Sequence, residues 1–199
     1  MKLSSLVFAD PSPWPPIEVA SKNERYANAI LSNIGASVSE MSAISLYVYN
    51  SIITKNYFFE IAECFHKISV VEMRHLNAFG ELCVQLGVDP RLWSNQNGRM
   101  NYWSPAYNRY PTRIGELVAN ALNGELETIK KYQAQAQWID DCQIQAILNR
   151  IIADEQCHVT IFRLILAELN GECQIQSAEC GESEFEEEAD ITEDEYEPL

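Results

Sequence analysis

Two copies of one short pattern constrain this chain more than any other feature of it. Glu72-Met73-Arg74-His75 and Glu155-Gln156-Cys157-His158 each set a glutamate three residues before a histidine, inside apolar runs with the helical period. At that spacing both side chains point to one face of a helix, so each copy offers a carboxylate and an imidazole to the same small volume. A matched stretch lies upstream of each copy. Glu40-Met41-Ser42-Ala43-Ile44-Ser45-Leu46-Tyr47 and Glu125-Leu126-Glu127-Thr128-Ile129-Lys130-Lys131-Tyr132 both read Glu, then Ile four positions on, then Tyr seven on. Glu40 precedes Glu72 by 32 positions (72 minus 40), and Glu125 precedes Glu155 by 30 (155 minus 125). The two halves form a degenerate repeat of one helical hairpin.

Four helices follow from the periodicity. Ile30, Ile34, Val38, Met41, Ile44 and Val48 recur at spacings of three and four, which predicts a first helix over 22–53, with a break at Thr54-Lys55-Asn56. A second helix is predicted over 58–86, stopped by Gly87 and Pro90, and a third over 112–138. The fourth is predicted over 142–170, with Gly171 just past its end and Asp140 with Gln143 as a capping box at its start. Residues 87–111 hold three prolines and two tryptophans, which suits an ordered, aromatic-rich connection better than a hairpin turn. The second helix is about 45 Å long at about 1.5 Å per residue, and an extended connection of this length can run back along it. The second and third helices can then be parallel. The expected architecture is all-α, a four-helix bundle with a long crossover between helices 2 and 3.

Three regions are expected. Residues 1–21 are an extended Pro-rich segment, with Trp14 packed on the bundle surface, and 22–174 form the bundle. Residues 175–199 read as an acidic, solvated, disordered tail. All 14 Lys and Arg residues precede position 164, while 12 of the 29 acids lie in 171–199. The body then carries 14 basic residues against 17 acids, a net charge of −3, so nothing in it would hold nucleic acid phosphates. The acids of the tail suit either solubility or attraction of cations and basic partners. The six cysteines form no Cys-x-x-Cys pair and read as reduced thiols, with Cys157 a buried, inert one. The apolar run Leu6–Ala9 is too short for a signal peptide or membrane span, so no membrane association and a cytoplasmic location are the expectation.

A Glu and a His from each of two facing helices, with one further Glu from each of two others, is the ligand set of a carboxylate-bridged dimetal centre in a four-helix bundle. Over residues 22–170 this chain resembles the ferritin-like superfamily of dimetal-carboxylate proteins, which includes bacterioferritin, rubrerythrin and the manganese catalases. The resemblance implies that Glu40 and Glu125 are terminal carboxylate ligands, that Glu72 and Glu155 bridge, and that His75 and His158 give one imidazole to each metal. It implies two Fe or two Mn ions per chain, an activity with peroxide or dioxygen of the peroxidase, ferroxidase or catalase type, an electron donor of unknown identity, and a homo-oligomer, dimer or larger. The alternatives are an iron-storage subunit of a cage, a dimanganese catalase, and a metal-free structural bundle. Four carboxylates and two neutral imidazoles neutralise two divalent cations and suit iron or manganese. Without metal, four buried carboxylates would be costly like charges.

Some positions depart from these relatives. Rubrerythrins carry a further Glu where this chain has Thr128, and their rubredoxin domain is replaced here by the acidic tail. Met73 stands where bacterioferritin carries its haem-ligating Met; an ordinary helix Met is the expectation, without haem. Tyr47 and Tyr132 lie two turns from Glu40 and Glu125, where they can hydrogen-bond the ligands, quench radicals or simply fill the aromatic core. Asp154 can orient a ligating His of the second helix through its other ring nitrogen, or sit exposed. Its counterpart before Glu72 is Val71, so the two metals need not be equivalent. A competing Glu63-Cys64-Phe65-His66 lies nine residues before the chosen pair, half a helical turn away. Equal distances from the 54–56 break favour Glu72 and His75 over it.

Overall fold

The computed structural model describes residues 6–96 and 98–179. Its frame is five helices, α1 (Glu24–Gly35), α2 (Glu40–Thr54), α3 (Phe59–Leu86), α4 (Ile114–Trp138) and α5 (Cys142–Glu179), with a small hairpin of β1 (Trp93–Gln96) and β2 (Arg99–Tyr102). α2 packs along α3 and α4 along α5, forming the two helical hairpins of the repeat. Tyr47 of α2 reaches Glu125 of α4 while Tyr132 of α4 reaches Glu40 of α2, so these two helices run antiparallel. α3 and α4 are therefore parallel, and the crossover between them has the expected sense.

The first predicted helix is two helices. It breaks at Ala36–Ser39, although the apolar period continues through the break. α1 ends at Gly35, where β1 passes so close that a Cβ would lie 2.8 Å from the Leu92 carbonyl carbon. Ser39 then caps α2 by accepting the Ser42 N–H at 3.4 Å. Lys131 braces the junction, donating from Nζ to the carbonyls of Ser32 and Val38. The break lets Glu40 begin a helix of its own, buried in the bundle.

Three further boundaries differ from expectation. The crossover does contain a hairpin, with Trp93 paired to Tyr102 and Gly98 at a φ of +82°, a left-handed conformation that glycine adopts without steric cost. The cap of α5 is Asp141 rather than Asp140: its Oδ1 accepts the N–H groups of Gln143 and Ile144, and its Oδ2 accepts from Ala20 in the N-terminal segment. α5 runs through Gly171 to Glu179, since a single exposed glycine costs a helix only about 1 kcal/mol relative to alanine. The expected acidic tail lies, from residue 180 on, outside the described residues.

The core falls into two apolar clusters. One gathers α1, the C-terminal half of α3 and the α4–α5 turn around Ile30, Phe79, Leu82, Tyr132 and Ile147. The other joins α2, the first half of α3, the start of α4 and the end of α5 around Tyr47, Phe65, Val118 and Phe162. Phe65, Phe162 and Tyr47 meet there with ring centroids 5.3–5.7 Å apart. Both clusters border the polar site, one through Tyr132 and the other through Tyr47. Among the described residues, no helix is long and apolar enough to cross a membrane.

Candidate metal centre

All six residues singled out by the repeat converge in this polar layer, and all are buried: Glu40, Glu72, His75, Glu125, Glu155 and His158. Glu40 comes from the first turn of α2, Glu72 and His75 from α3, Glu125 from α4, and Glu155 and His158 from α5. They form two overlapping groups. Glu40, Glu72, His75 and Glu155 make one and Glu72, Glu125, Glu155 and His158 the other, with one ligating atom of each member within 4.8 Å of the rest. Glu72 and Glu155 belong to both groups. His75 Nδ1 lies 3.0 Å from Glu72, 3.4 Å from Glu155 and 3.8 Å from Glu40. His158 Nδ1 lies 2.9 Å from Glu155, 3.0 Å from Glu72 and 3.5 Å from Glu125. Each imidazole thus turns one nitrogen toward three carboxylates.

The competing pair is not part of this layer. Glu63 is half-buried and His66 exposed, as half a turn of rotation from Glu72 and His75 requires. Met73 is 47% exposed and points away from the site.

The electrostatics are those of a carboxylate cluster seeking cations. Burial pushes the Glu40 and Glu125 carboxyls well above the usual carboxylate range. Burial acts in the same sense on Glu72, but His158 and His75 outweigh it and hold that carboxyl low. Both imidazoles respond in turn. Burial alone would lower their proton affinity, yet Glu155 and Asp154 lift His75, and Glu72 and Glu125 lift His158, well above the ordinary value. The raised Glu40, Glu125 and imidazole groups favour bound protons, and the lowered Glu72 favours negative charge at the centre.

Two oxygens test whether the residues fit a metal pair. Glu72 Oε1 and Glu155 Oε1 are buried and accept no hydrogen bond, although an imidazole nitrogen lies 3.0 Å and 3.4 Å away, respectively. Both belong to the two carboxylates common to the groups, where an oxygen facing a cation would be satisfied. Four carboxylates with two imidazoles are a hard donor set, which iron and manganese suit and a thiolate-seeking metal does not.

Around the six sits a layer of which the sequence showed only part. Tyr47 and Tyr132 donate to Glu125 and Glu40. Asp154 is fully buried, and its Oδ2 lies 3.1 Å from His75 Nε2, the partnership that its position beside Glu155 suggested. Arg150 and the N-terminal segment had not been singled out. Arg150 donates to Asp154 Oδ1 at 2.6 Å, the Asp10 N–H donates to the same oxygen, and His158 Nε2 lies 3.0 Å from the Phe8 carbonyl oxygen. Trp14 sits against the site rather than on the outer bundle surface alone, 6.0 Å from the His75 ring. Arg150, four residues before Asp154 on a helix, was a readable pair; a backbone carbonyl 150 positions from its partner was not.

A cavity of about 600 Å³ opens between α2, α4 and the crossover. Tyr47, Asn108, Arg109, Glu125, Thr128 and Lys130 are among the residues that line it. It extends from solvent to the buried Glu125.

No protein-family model matches the sequence, and no curated protein does. Solved structures match the fold. KatB, a manganese catalase from Anabaena, superposes with TM-scores of 0.70 and 0.71 in two structures, at 18% identity, over 94–96% of this chain and 88% of that one. A Rhodobacter capsulatus bacterioferritin with haem iron and a metal-free dinuclear site gives 0.64 at 19% identity, over 75% of this chain and 88% of that one. Mycobacterium tuberculosis bacterioferritin gives 0.62 at 20%, over 80% and 96%. The chain shares the ferritin-like fold of these structures, and its bundle encloses two overlapping groups of carboxylates and a histidine that could hold metal ions.

Proposed function

We propose that this protein is a dimetal-carboxylate oxidoreductase that reacts with peroxide or dioxygen. Glu40, Glu72, His75 and Glu155 hold one ion and Glu72, Glu125, Glu155 and His158 the other, two iron or two manganese ions per chain. The observation that carries this reading is the pair of overlapping groups sharing Glu72 and Glu155. Bound metals would supply redox capacity for the chemistry, and the protein supplies geometry and a sheltered pocket.

The chain's own residues divide that work. Glu72 and Glu155 set the spacing of the two positions, and Glu40 and Glu125 close the outer ends. Tyr47 and Tyr132 hold the terminal carboxylates in one orientation and stay protonated, because burial and the neighbouring carboxylates raise their phenols. The cavity beside Glu125 and Tyr47 admits the oxidant, while the apolar clusters keep the other sides dry.

Dimanganese catalase is the second reading, favoured by the broader match to KatB, 94–96% of this chain against 75–80% for the bacterioferritins. It requires no separate electron donor, since two peroxides yield two waters and one dioxygen. Reconstitution with Mn(II) or Fe(II), elemental analysis and paired assays test both. Two metals per chain are expected, with oxygen evolved from peroxide by the manganese form or Fe(II) oxidised by the iron form. A single zinc, or no metal after reconstitution, would overturn the proposal. A mass corresponding to a large closed shell would favour iron storage over either enzyme.

A further inference from the structure

The two metal positions are alike in what faces them and unlike in what stands behind them. Each has one terminal glutamate held by a tyrosine, the two shared glutamates and one histidine. Behind His75 stands a charged relay. His75 Nε2 meets Asp154 Oδ2 at 3.1 Å, and Asp154 Oδ1 accepts from Arg150 Nη1 and the Asp10 N–H, both at 2.6 Å. Arg150 is locked in turn by the N-terminal segment: Nη2 donates to the Asp10 carbonyl at 2.7 Å and Nε to the Ser12 carbonyl at 3.1 Å. Its guanidinium lies 4.9 Å from the Trp14 ring centroid. Behind His158 stands only a neutral group, the Phe8 carbonyl at 3.0 Å. Phe8 is anchored by packing against the Phe65–Phe162 cluster, with Lys67 Nζ 5.1 Å from its ring centroid.

We propose that residues 8–14 act as a strap that makes the two metal positions unequal, so that the His75 position fills first and binds more tightly than the His158 position. The inference rests on the dimetal reading. An ionised carboxylate behind a ligating imidazole both orients the ring and raises its basicity; a neutral carbonyl does mainly the first. Loss of such a partner typically costs about 10–100-fold in metal affinity. Asp154 and Phe8 are positioning residues, each acting on one imidazole.

Calorimetric titration of the metal-free full-length protein with Mn(II), followed in parallel by electron paramagnetic resonance, tests this on Asp154→Asn and Phe8→Ala. Metal-free thermal midpoints serve as the control for folding. The unaltered protein is expected to bind in two steps at least about tenfold apart, with an isolated-ion spectrum at one equivalent and a coupled one at two. D154N should weaken the tighter position by about 10–100-fold and leave the weaker, while F8A, which removes the packing that holds the Phe8 carbonyl at His158 but keeps the Asp10 and Ser12 contacts to Asp154 and Arg150, should weaken the second step. The two variants act on opposite steps, so either decides if the other fails to fold. Two equal sites in the unaltered protein, or a folded variant that weakens both steps alike, would overturn the inference and leave the dimetal reading standing. Absence of any Mn(II) or Fe(II) binding would remove that reading itself.

Discussion

Tyr47 on α2 donates its hydroxyl proton to Glu125 on α4 at 2.7 Å, and Tyr132 on α4 donates to Glu40 on α2 at 2.6 Å. Each tyrosine therefore serves the glutamate of the other half of the repeat, not the one seven residues before it. Antiparallel packing explains the exchange. Two turns along one helix brings the hydroxyl level with the partner helix's glutamate, so a local Glu-to-Tyr spacing becomes a pair of links across the bundle.

Tyr47→Phe and Tyr132→Phe should each leave the bundle folded and free one oxygen of Glu125 and of Glu40, respectively. The orphaned acceptor costs about 1–3 kcal/mol in the metal-free protein, or about 2–12 °C of thermal midpoint for a domain of this size. Metal affinity should fall by about 10–100-fold, by analogy with other groups that orient ligands. Y47F should lower affinity at the Glu125 side and Y132F at the Glu40 side, read by metal titration. Unchanged binding in both would reduce the tyrosines to aromatic filling.

Metal removal should invert the dependence of stability on pH. Glu40 and Glu125 are raised above their ordinary 4.5, and His75 and His158 above 6.5. In each case the folded state keeps protons to higher pH than the unfolded chain does, so these groups should make the metal-free fold lose stability as pH rises from about 5 to about 7, above which the depressed Lys131 acts in the opposite sense. The same protons compete with metal. Affinity for Mn(II) or Fe(II) should rise across this interval, and the metal-loaded protein should become more stable with pH where the metal-free one weakens. Parallel melting curves with and without chelator would show it; a metal-free midpoint that climbs with pH over this interval would contradict it.

What could be read from the sequence was periodic or paired. Helical spacing placed Glu72 with His75 and Glu155 with His158, and the similar separations in the two halves, 32 and 30 positions, brought Glu40 and Glu125 to the same level of the bundle. The break between α1 and α2 escaped because Ile34, Val38 and Met41 keep the helical period across it, while the close passage of β1 over Gly35 beside it is tertiary. The hairpin did leave a trace in Asn97-Gly98, outweighed by the surrounding prolines and aromatics. The N-terminal strap left almost none. It works largely through the backbone groups of Phe8, Asp10 and Ser12, and such groups carry no residue signature.

Gly35→Ala should be damaging and Gly80→Ala should not. A Cβ at Gly35 would clash with the Trp93 backbone N and lie 2.8 Å from both the Leu92 carbonyl carbon and the Trp93 carbonyl oxygen, so the hairpin has to move. The cost should be about 1–3 kcal/mol, with the start of α2, and thus Glu40, displaced alongside. At Gly80, inside α3, a Cβ meets nothing within 4 Å. There alanine should stabilise by about 0.5–1 kcal/mol, through better helix propensity. Thermal melts of the two variants compare them directly, and equal midpoints would show that the β1 approach is not tight.

The sharpest separation is between the two Glu-x-x-His sequences on α3. Glu72 and His75 are buried at the level of Glu40, Glu125, Glu155 and His158, whereas Glu63 is half-buried and His66 exposed. The hairpin explains this choice. Residues level with one another across an antiparallel pair lie at about equal distances from the turn, and α2 ends at Thr54 while α3 begins at Phe59, around the midpoint of Glu40 and Glu72. Glu72→Ala removes an oxygen donor shared by both groups, and His75→Ala the imidazole of one. E72A should therefore abolish stoichiometric binding of two metals, and H75A should lose at least the ion on its own side. Glu63→Ala and His66→Ala should keep two metals per chain and near-normal activity, since surface changes of this kind usually alter stability by no more than about 0.5 kcal/mol. Elemental analysis of the four variants after identical reconstitution reads the result. If E63A and H66A lost metal while E72A and H75A retained it, the site would lie on the opposite face of α3, and the proposed ligand set would be wrong.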